Sequence, residues 1–239
     1  MRREHRRELK HDKFVDEMGS LSSRASENRR FLLLITVGVV AAALLAYGIY
    51  FYRNNREQQA QEALATAIDT IDSPLLNAPG SQQPQQPGAK YKTEAERNAA
   101  AEKQFKDLES KYSGTDAADV GNLYVARLDA GRGDVAGARK LLNAFIEEHP
   151  KHVLVGSARF SLYQIRIESG EAAQVASELQ NEVNKSDPVL PTDSLLVLLA
   201  HAWDVQGNAQ KSKEAYRRIT TEFPDSPYAL EAQRRMGPA

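Results

Sequence analysis

The sequence of 239 residues contains no cysteine and almost no excess of either charge. Disulfides, thiolate metal sites, cysteine nucleophiles and cysteine-linked lipid anchors are therefore excluded. The net charge is −1 for the chain and +3 for residues 1–30, where nine Lys or Arg meet six Asp or Glu. Residues 31–52 carry no charge, so residues 53–239 carry −4. A mildly acidic domain argues against nucleic acid as the main partner, because phosphate binding needs concentrated cationic surface.

Catalytic signatures are also lacking. The sequence shows no nucleophile elbow, Walker motif or dinucleotide-binding fingerprint. His149 and His152 lie in the short segment HPKH, where a zinc site is conceivable, but only Glu147 and Glu148 are acidic neighbours. We therefore expect a protein that is not an enzyme and that has no cofactor and no metal site.

One long apolar run is present. Residues 31–52 read FLLLITVGVVAAALLAYGIYFY, which is 22 residues without a charge. A helix of that length spans a hydrocarbon core of roughly 30 Å. The alternative is a cleaved signal peptide, whose apolar region is usually about 7–15 residues and ends at a small-x-small site. Because this run is longer and ends in aromatic residues, we expect an uncleaved transmembrane helix.

The cations that flank the run predict its orientation. Four Lys or Arg lie in the twenty residues before it and two in the twenty after it. The positive-inside rule then places residues 1–30, a basic tail, in the cytoplasm and the C-terminal domain outside. The tail has two interpretations, a solvated segment that sets topology or a short amphipathic helix at the membrane surface.

The remaining chain has a repeat of 37 residues. Gly133, Gly170 and Gly207 are evenly spaced, and each lies between two stretches of helical pattern. Glycine there can adopt a positive φ and end the first helix of a hairpin. Pro150, Pro188 or Pro224 follows about seventeen residues later, where proline ends the second helix. Each unit therefore reads as two helices joined by a turn, and Asp134 is expected to cap the helix that follows Gly133.

This pattern resembles the tetratricopeptide repeat family, whose usual period is about 34 residues. The last unit matches best, with large, small and aromatic residues at the positions that the family prefers: Leu196, Leu199, Ala200, Trp203, Ser212, Tyr216 and Ile219. The Gly133 unit matches through Ala138, Leu142 and Phe145. Three residues depart from the family pattern: Asp129 and Glu182 occupy apolar positions, and Tyr163 occupies a small one.

One period upstream, Ala101, Phe105 and Leu108 match the second helix of a further unit. Its first helix is predicted at residues 53–72, continuing from the membrane helix, with residues 73–92 as a flexible Pro- and Gln-rich loop. The expected fold is all-α: a single transmembrane helix (31–52), then a tetratricopeptide-type α-solenoid (53–239) of about four helical hairpins plus a capping helix at residues 226–236.

The resemblance implies that the first helices of the hairpins, called the A helices, line a concave groove that binds an extended peptide or a partner helix. Family geometry gives the groove residues as Leu123, Arg127, Phe160, Gln164, Glu168, Val197, His201 and Asp204. The alternative is that several of them are ordinary packing or solvated surface.

The layout of basic tail, anchor and repeat domain resembles the bacterial ancillary subunits of the SecYEG translocon (YfgM-like). That resemblance implies a single-pass inner-membrane protein with a periplasmic domain. It would bind translocon subunits, periplasmic chaperones or exported polypeptides as an adaptor or chaperone-like module. Two other functions stay open, a scaffold for envelope assembly or cell division and a regulatory subunit of an enzyme.

Overall fold

The computed structural model describes residues 29–77 and 84–237. The predicted basic tail, up to residue 28, and the centre of the predicted loop at 73–92 lie outside these ranges. The chain divides into two compact units, one ending at Arg56 and the other beginning at Glu57.

The first unit contains the apolar part of one long helix. Helix α1 runs from Arg29 to Ile71 without a break, so the apolar run and the predicted first helix of the repeat domain form one element. Every side chain from residue 32 to residue 52 is exposed within this chain. Helix α1 is long and apolar enough to cross a membrane.

The second unit is built from helical hairpins. The end of α1 packs against α2 (Glu94–Tyr112) through shared apolar clusters. Helix α3 (Asp116–Gly131) pairs with α4 (Val135–Glu148), and α7 (Thr192–Val205) with α8 (Ala209–Glu222). Between them, α5 (Val155–Arg166) pairs with α6 (Ala172–Glu182) through a kinked turn at Ile167–Glu171. A last helix, α9 (Ala229–Met236), covers the end. The expected all-α solenoid of four hairpins and a capping helix is confirmed.

The core runs as successive apolar clusters between neighbouring helices. Phe105 joins α1, α2 and α3, and Phe145 joins α3, α4 and α5. Leu179 lies between α6 and α7, and Tyr216 between α7, α8 and α9. No hairpin can bury its apolar face alone, so each is stabilised by its neighbours.

The turn glycines and helix caps follow the sequence prediction. Gly133, Gly170 and Gly207 have φ values of 87°, 96° and 72°. Asp134 caps α4 by accepting a hydrogen bond from the backbone N–H of Gly137 at 2.9 Å. The capping helix starts three residues later than predicted, because residues 226–228 form a turn before Ala229.

The first hairpin joins the second through a capping contact. The carboxylate of Glu57 in α1 accepts hydrogen bonds from the backbone N–H groups of Asp116 at 2.9 Å and Ala117 at 3.1 Å. These donors belong to the first turn of α3, where backbone N–H groups have no partner within the helix. A negative charge at a helix N-terminus is also favoured by the helix dipole.

Candidate protein-binding groove

A first pocket lies between the A helices α3 and α5, with a volume of about 450 Å³. It combines an apolar floor with a polar rim. The floor includes the buried side chains of Leu142, Ala158 and Ile165, whereas Arg127 and Glu168 on the rim are exposed. The complete lining is Leu123, Arg127, Ala130, Leu142, Ser157, Ala158, Ser161, Gln164, Ile165 and Glu168.

The two charged groups on the rim differ in their surroundings. Within the described part of the chain, the guanidinium of Arg127 has no ion pair. The carboxylate of Glu168, whose side chain is 67% exposed, lies 3.9 Å from Nε2 of His201. Arg127 is on the α3 wall of the pocket. Glu168 is on the opposite wall, in the turn that follows α5, so the α3 wall presents an unpaired cation.

A second pocket, of about 380 Å³, lies on the other side of α5. Its wall includes Phe160 and Tyr228, whose rings stack with centroids 6.2 Å apart at an angle of 7°. Leu190 is buried beside them, and Val153 at the edge is 88% exposed. No residue that lines this pocket carries a charge. It is therefore suited to an apolar side chain.

Two residues line both pockets. Ser157 and Ser161, on consecutive turns of α5, line both of them. Their small side chains lie between the two pockets, and we call this pair of residues the saddle. We call the two pockets and this saddle the A-helix groove.

Five of the predicted groove residues line these pockets. Four of them, Leu123, Arg127, Gln164 and Glu168, meet in the first pocket, and Phe160 lines the second. The remaining three lie on α7. Val197 packs against the core of the last hairpin, His201 lies near Glu168, and the carboxylate of Asp204 accepts a hydrogen bond from the Tyr216 hydroxyl at 3.3 Å. Burial, together with the nearby charge of Asp204, raises the pKa of Tyr216 to about 12.

Sequence reasoning missed the saddle and the aromatic wall. Ser157 and Ser161 lie seven and three residues before Gln164, on the same face of the helix, so helical spacing could have identified them. Tyr228 lies in the turn before α9, about two repeats after Phe160 in the sequence. Nothing local to Phe160 identifies that partner.

Outside the A-helix groove, a cluster of ionisable side chains joins both histidines of the HPKH segment to the start of α3. His149 Nε2 lies 3.1 Å from Asp119 Oδ2, and His152 Nε2 lies 3.0 Å from Asp116 Oδ1. His152 Nδ1 also accepts a hydrogen bond from the backbone N–H of Leu154 at 3.1 Å. Burial raises the pKa of the Asp119 carboxyl, and His149 opposes that shift. Within residues 29–77 and 84–237, no three His, Cys, Asp or Glu are arranged to hold a metal ion.

An ion-pair network surrounds Arg166. Its guanidinium donates two hydrogen bonds of 2.7 Å to Glu178 and one of 2.8 Å to Glu171, which also pairs with Arg139. The hydrogen bonds from Arg166 hold the pKa of Glu178 below its usual range. The network ties α4, α5 and α6 together at the irregular turn.

Comparison with known families agrees with this architecture. The family model described as a tetratricopeptide repeat-like domain matches residues 29–189, and that of the tetratricopeptide repeat matches residues 196–226. The chain therefore belongs to the tetratricopeptide repeat-like family, and the first match includes the apolar part of α1 as well as the first three hairpins. No curated protein matched the chain. Domains of this kind are protein-interaction modules and are typically non-catalytic.

Proposed function

We propose that this protein is a single-pass membrane protein whose repeat domain binds other polypeptides in the A-helix groove. It acts as an adaptor or chaperone-like module beside the secretion translocon, on exported proteins. The observation that carries the proposal is the pair of neighbouring pockets on either side of α5, which combine buried apolar side chains with polar side chains. Such a mixture suits segments of a polypeptide, which offer apolar side chains and backbone hydrogen-bonding groups together.

The first 24 residues of α1 support the anchoring part of the proposal. The apolar run is exposed on every side, and burial in lipid would remove that surface from water. The excess of Lys and Arg before the run favours a cytoplasmic N-terminus and a periplasmic C-terminal domain in the inner membrane. The proposed division is a tail at 1–30, a transmembrane helix at 31–52 and a periplasmic domain at 53–239 with a loop at 73–92.

The choice of exported polypeptides and translocon subunits as partners has two supports. The order of tail, anchor and repeat domain resembles the ancillary translocon subunits. In addition, the open A-helix groove is suited to a chain segment that has not yet buried its apolar side chains. A scaffold for envelope assembly or cell division is the alternative function.

In-cell photocrosslinking tests the proposal in the full-length anchored protein. A photoreactive residue replaces Ser157, which lies on the saddle of the groove. In the matched control it replaces Asn143, an exposed residue on α4 outside both pockets. Translocon subunits, chaperones or several exported proteins crosslinked from residue 157 alone would support the proposal. A single envelope-assembly protein would favour the scaffold, and equal adducts from both positions, or none, would contradict binding in the groove.

A further inference from the structure

The groove offers polar side chains on the saddle between the two pockets. Ser157 and Ser161 form the saddle, and Gln164 lies on the rim of the first pocket. Within the described ranges, none of their side chains makes a hydrogen bond. An extended polypeptide has free backbone N–H and C=O groups that can pair with them. A helix has already used those groups internally, so the saddle favours an extended ligand over a helical one.

The distance between the pockets limits the spacing of the ligand's apolar side chains. The pockets lie on opposite sides of one helix, α5, between successive elements of the solenoid. Packed helix axes are about 8–10 Å apart, so the pockets are separated by about that distance. An extended chain of polyproline II type rises about 3.1 Å per residue and repeats its side-chain direction every third residue. Side chains at positions i and i+3 therefore fit both pockets from one side of the ligand.

Charge distinguishes the first pocket from the second. The first has the unpaired guanidinium of Arg127 on its α3 wall, whereas no charged residue lines the second. Glu168, the other charge of the first pocket, lies on the opposite wall near His201. A carboxylate of the ligand is thus favoured on the α3 wall, beside the apolar side chain that fills the first pocket.

We infer that the A-helix groove selects an extended segment with two apolar side chains three residues apart and a carboxylate next to the one in the first pocket. This inference rests on the proposed function, because it defines the ligand of the same groove. The segment is one that an unfolded polypeptide exposes and a folded domain buries.

Peptide binding by the full-length protein in nanodiscs tests the inference, with fluorescence anisotropy as the readout. The probes contain Glu-Leu-Ser-Ser-Phe or Lys-Leu-Ser-Ser-Phe between Gly-Ser flanks, each also in the reversed order. Further probes place the Leu and Phe two, four or seven positions apart. We expect the acidic probe in one of the two orders, with a spacing of three, to bind about 3- to 10-fold more tightly than its lysine counterpart.

Two variants separate this inference from the proposed function. Ser157→Trp fills the saddle from an exposed position and should weaken binding of every probe at least 10-fold. Arg127→Glu should reverse the preference, so that the lysine probe binds more tightly than the acidic one. Arg217→Glu is the matched control, because Arg217 is an exposed arginine of α8 without an ion pair to any described residue. It should leave the preference unchanged, and circular dichroism should show the same helix content in all variants.

The outcomes are distinguishable. If no probe binds, or if Ser157→Trp has no effect on binding, both the proposed function and the inference fail. If probes bind and Ser157→Trp weakens them, the groove is the binding surface. In that case, an unchanged preference in Arg127→Glu, or tightest binding at a spacing other than three, overturns the inference alone.

Discussion

Individual residues that break the repeat pattern have partners that explain them. Glu182 and Asp129 are both buried at positions where the family prefers apolar side chains. Glu182 accepts a hydrogen bond from the backbone N–H of Val189 at 2.8 Å and pairs with Lys185, and Asp129 pairs with Arg132. A buried carboxylate is tolerated when it is paired and hydrogen-bonded. These partners lie in the loops that follow the helices of Glu182 and Asp129, so the two carboxylates stabilise the connections between helices.

At the same scale, two neighbouring glycines should respond differently to alanine. Gly133 has a φ of 87°, which an L-residue adopts at a cost, and Gly131 is the last residue of α3. A Cβ at either position meets no atom within 4 Å, so only the backbone conformation differs. Gly133→Ala should lower the free energy of unfolding by about 1–2 kcal/mol. Gly131→Ala should leave it unchanged or raise it by up to about 1 kcal/mol.

Urea denaturation of the detergent-solubilised protein, followed by circular dichroism, measures both changes. Equal destabilisation by the two substitutions would contradict the conformational explanation, since neither creates a steric contact. The prediction was available from the sequence, because the spacing of Gly133, Gly170 and Gly207 already identified the turns.

Among the elements, the third hairpin is the most irregular. Ser169 and Gly170 depart from helical dihedral angles, so the chain turns sharply between α5 and α6. The sequence indicated a poor match here, through Tyr163 and Glu182. It did not reveal the Arg166 network, which joins Arg166 to Glu178, twelve residues later in the chain. That pairing depends on how the two helices pack.

The network predicts a pH-dependent effect of replacing Arg166. Arg166→Met removes charged hydrogen bonds from Glu178 and should lower the free energy of unfolding by about 1–3 kcal/mol at pH 7. The folded-state pKa of Glu178 is lowered, so its stabilising contribution is present above its unfolded pKa of about 4.3. It is lost as the pH falls through the folded-state value. The difference between wild type and variant should therefore shrink between pH 5 and pH 3.

Denaturant midpoints across that pH range provide the measurement. Arg217→Met is the control, since it removes an exposed cation outside the network and should change stability little at any pH. An Arg166→Met effect that is constant from pH 7 to pH 3 would show that Arg166 acts through packing of its side chain and not through Glu178.

The whole molecule combines an exposed apolar helix with a repeat domain, and its orientation is open to a direct test. Because the chain has no cysteine, single-cysteine variants need no background substitutions. Ser22→Cys marks the N-terminal tail, and Ser186→Cys marks an exposed loop between α6 and α7. With the outer membrane permeabilised, a membrane-impermeant maleimide should label residue 186 and not residue 22. Both should react after lysis, and labelling of residue 22 but not residue 186 before lysis would overturn the proposed topology.

The sequence by itself determined the all-α class, the hairpin turns and the long apolar helix. Each depends on local chemistry: helical periodicity, the positive φ that Gly133 needs, and 22 residues without a charge. Only the tertiary structure decided which A-helix side chains form the groove. It placed Ser157 and Ser161 on a saddle shared by two pockets, stacked Phe160 on Tyr228, and turned Val197 toward the core. The shape of a pocket depends on how helices that are distant in sequence pack together, and no local pattern of residues encodes that packing.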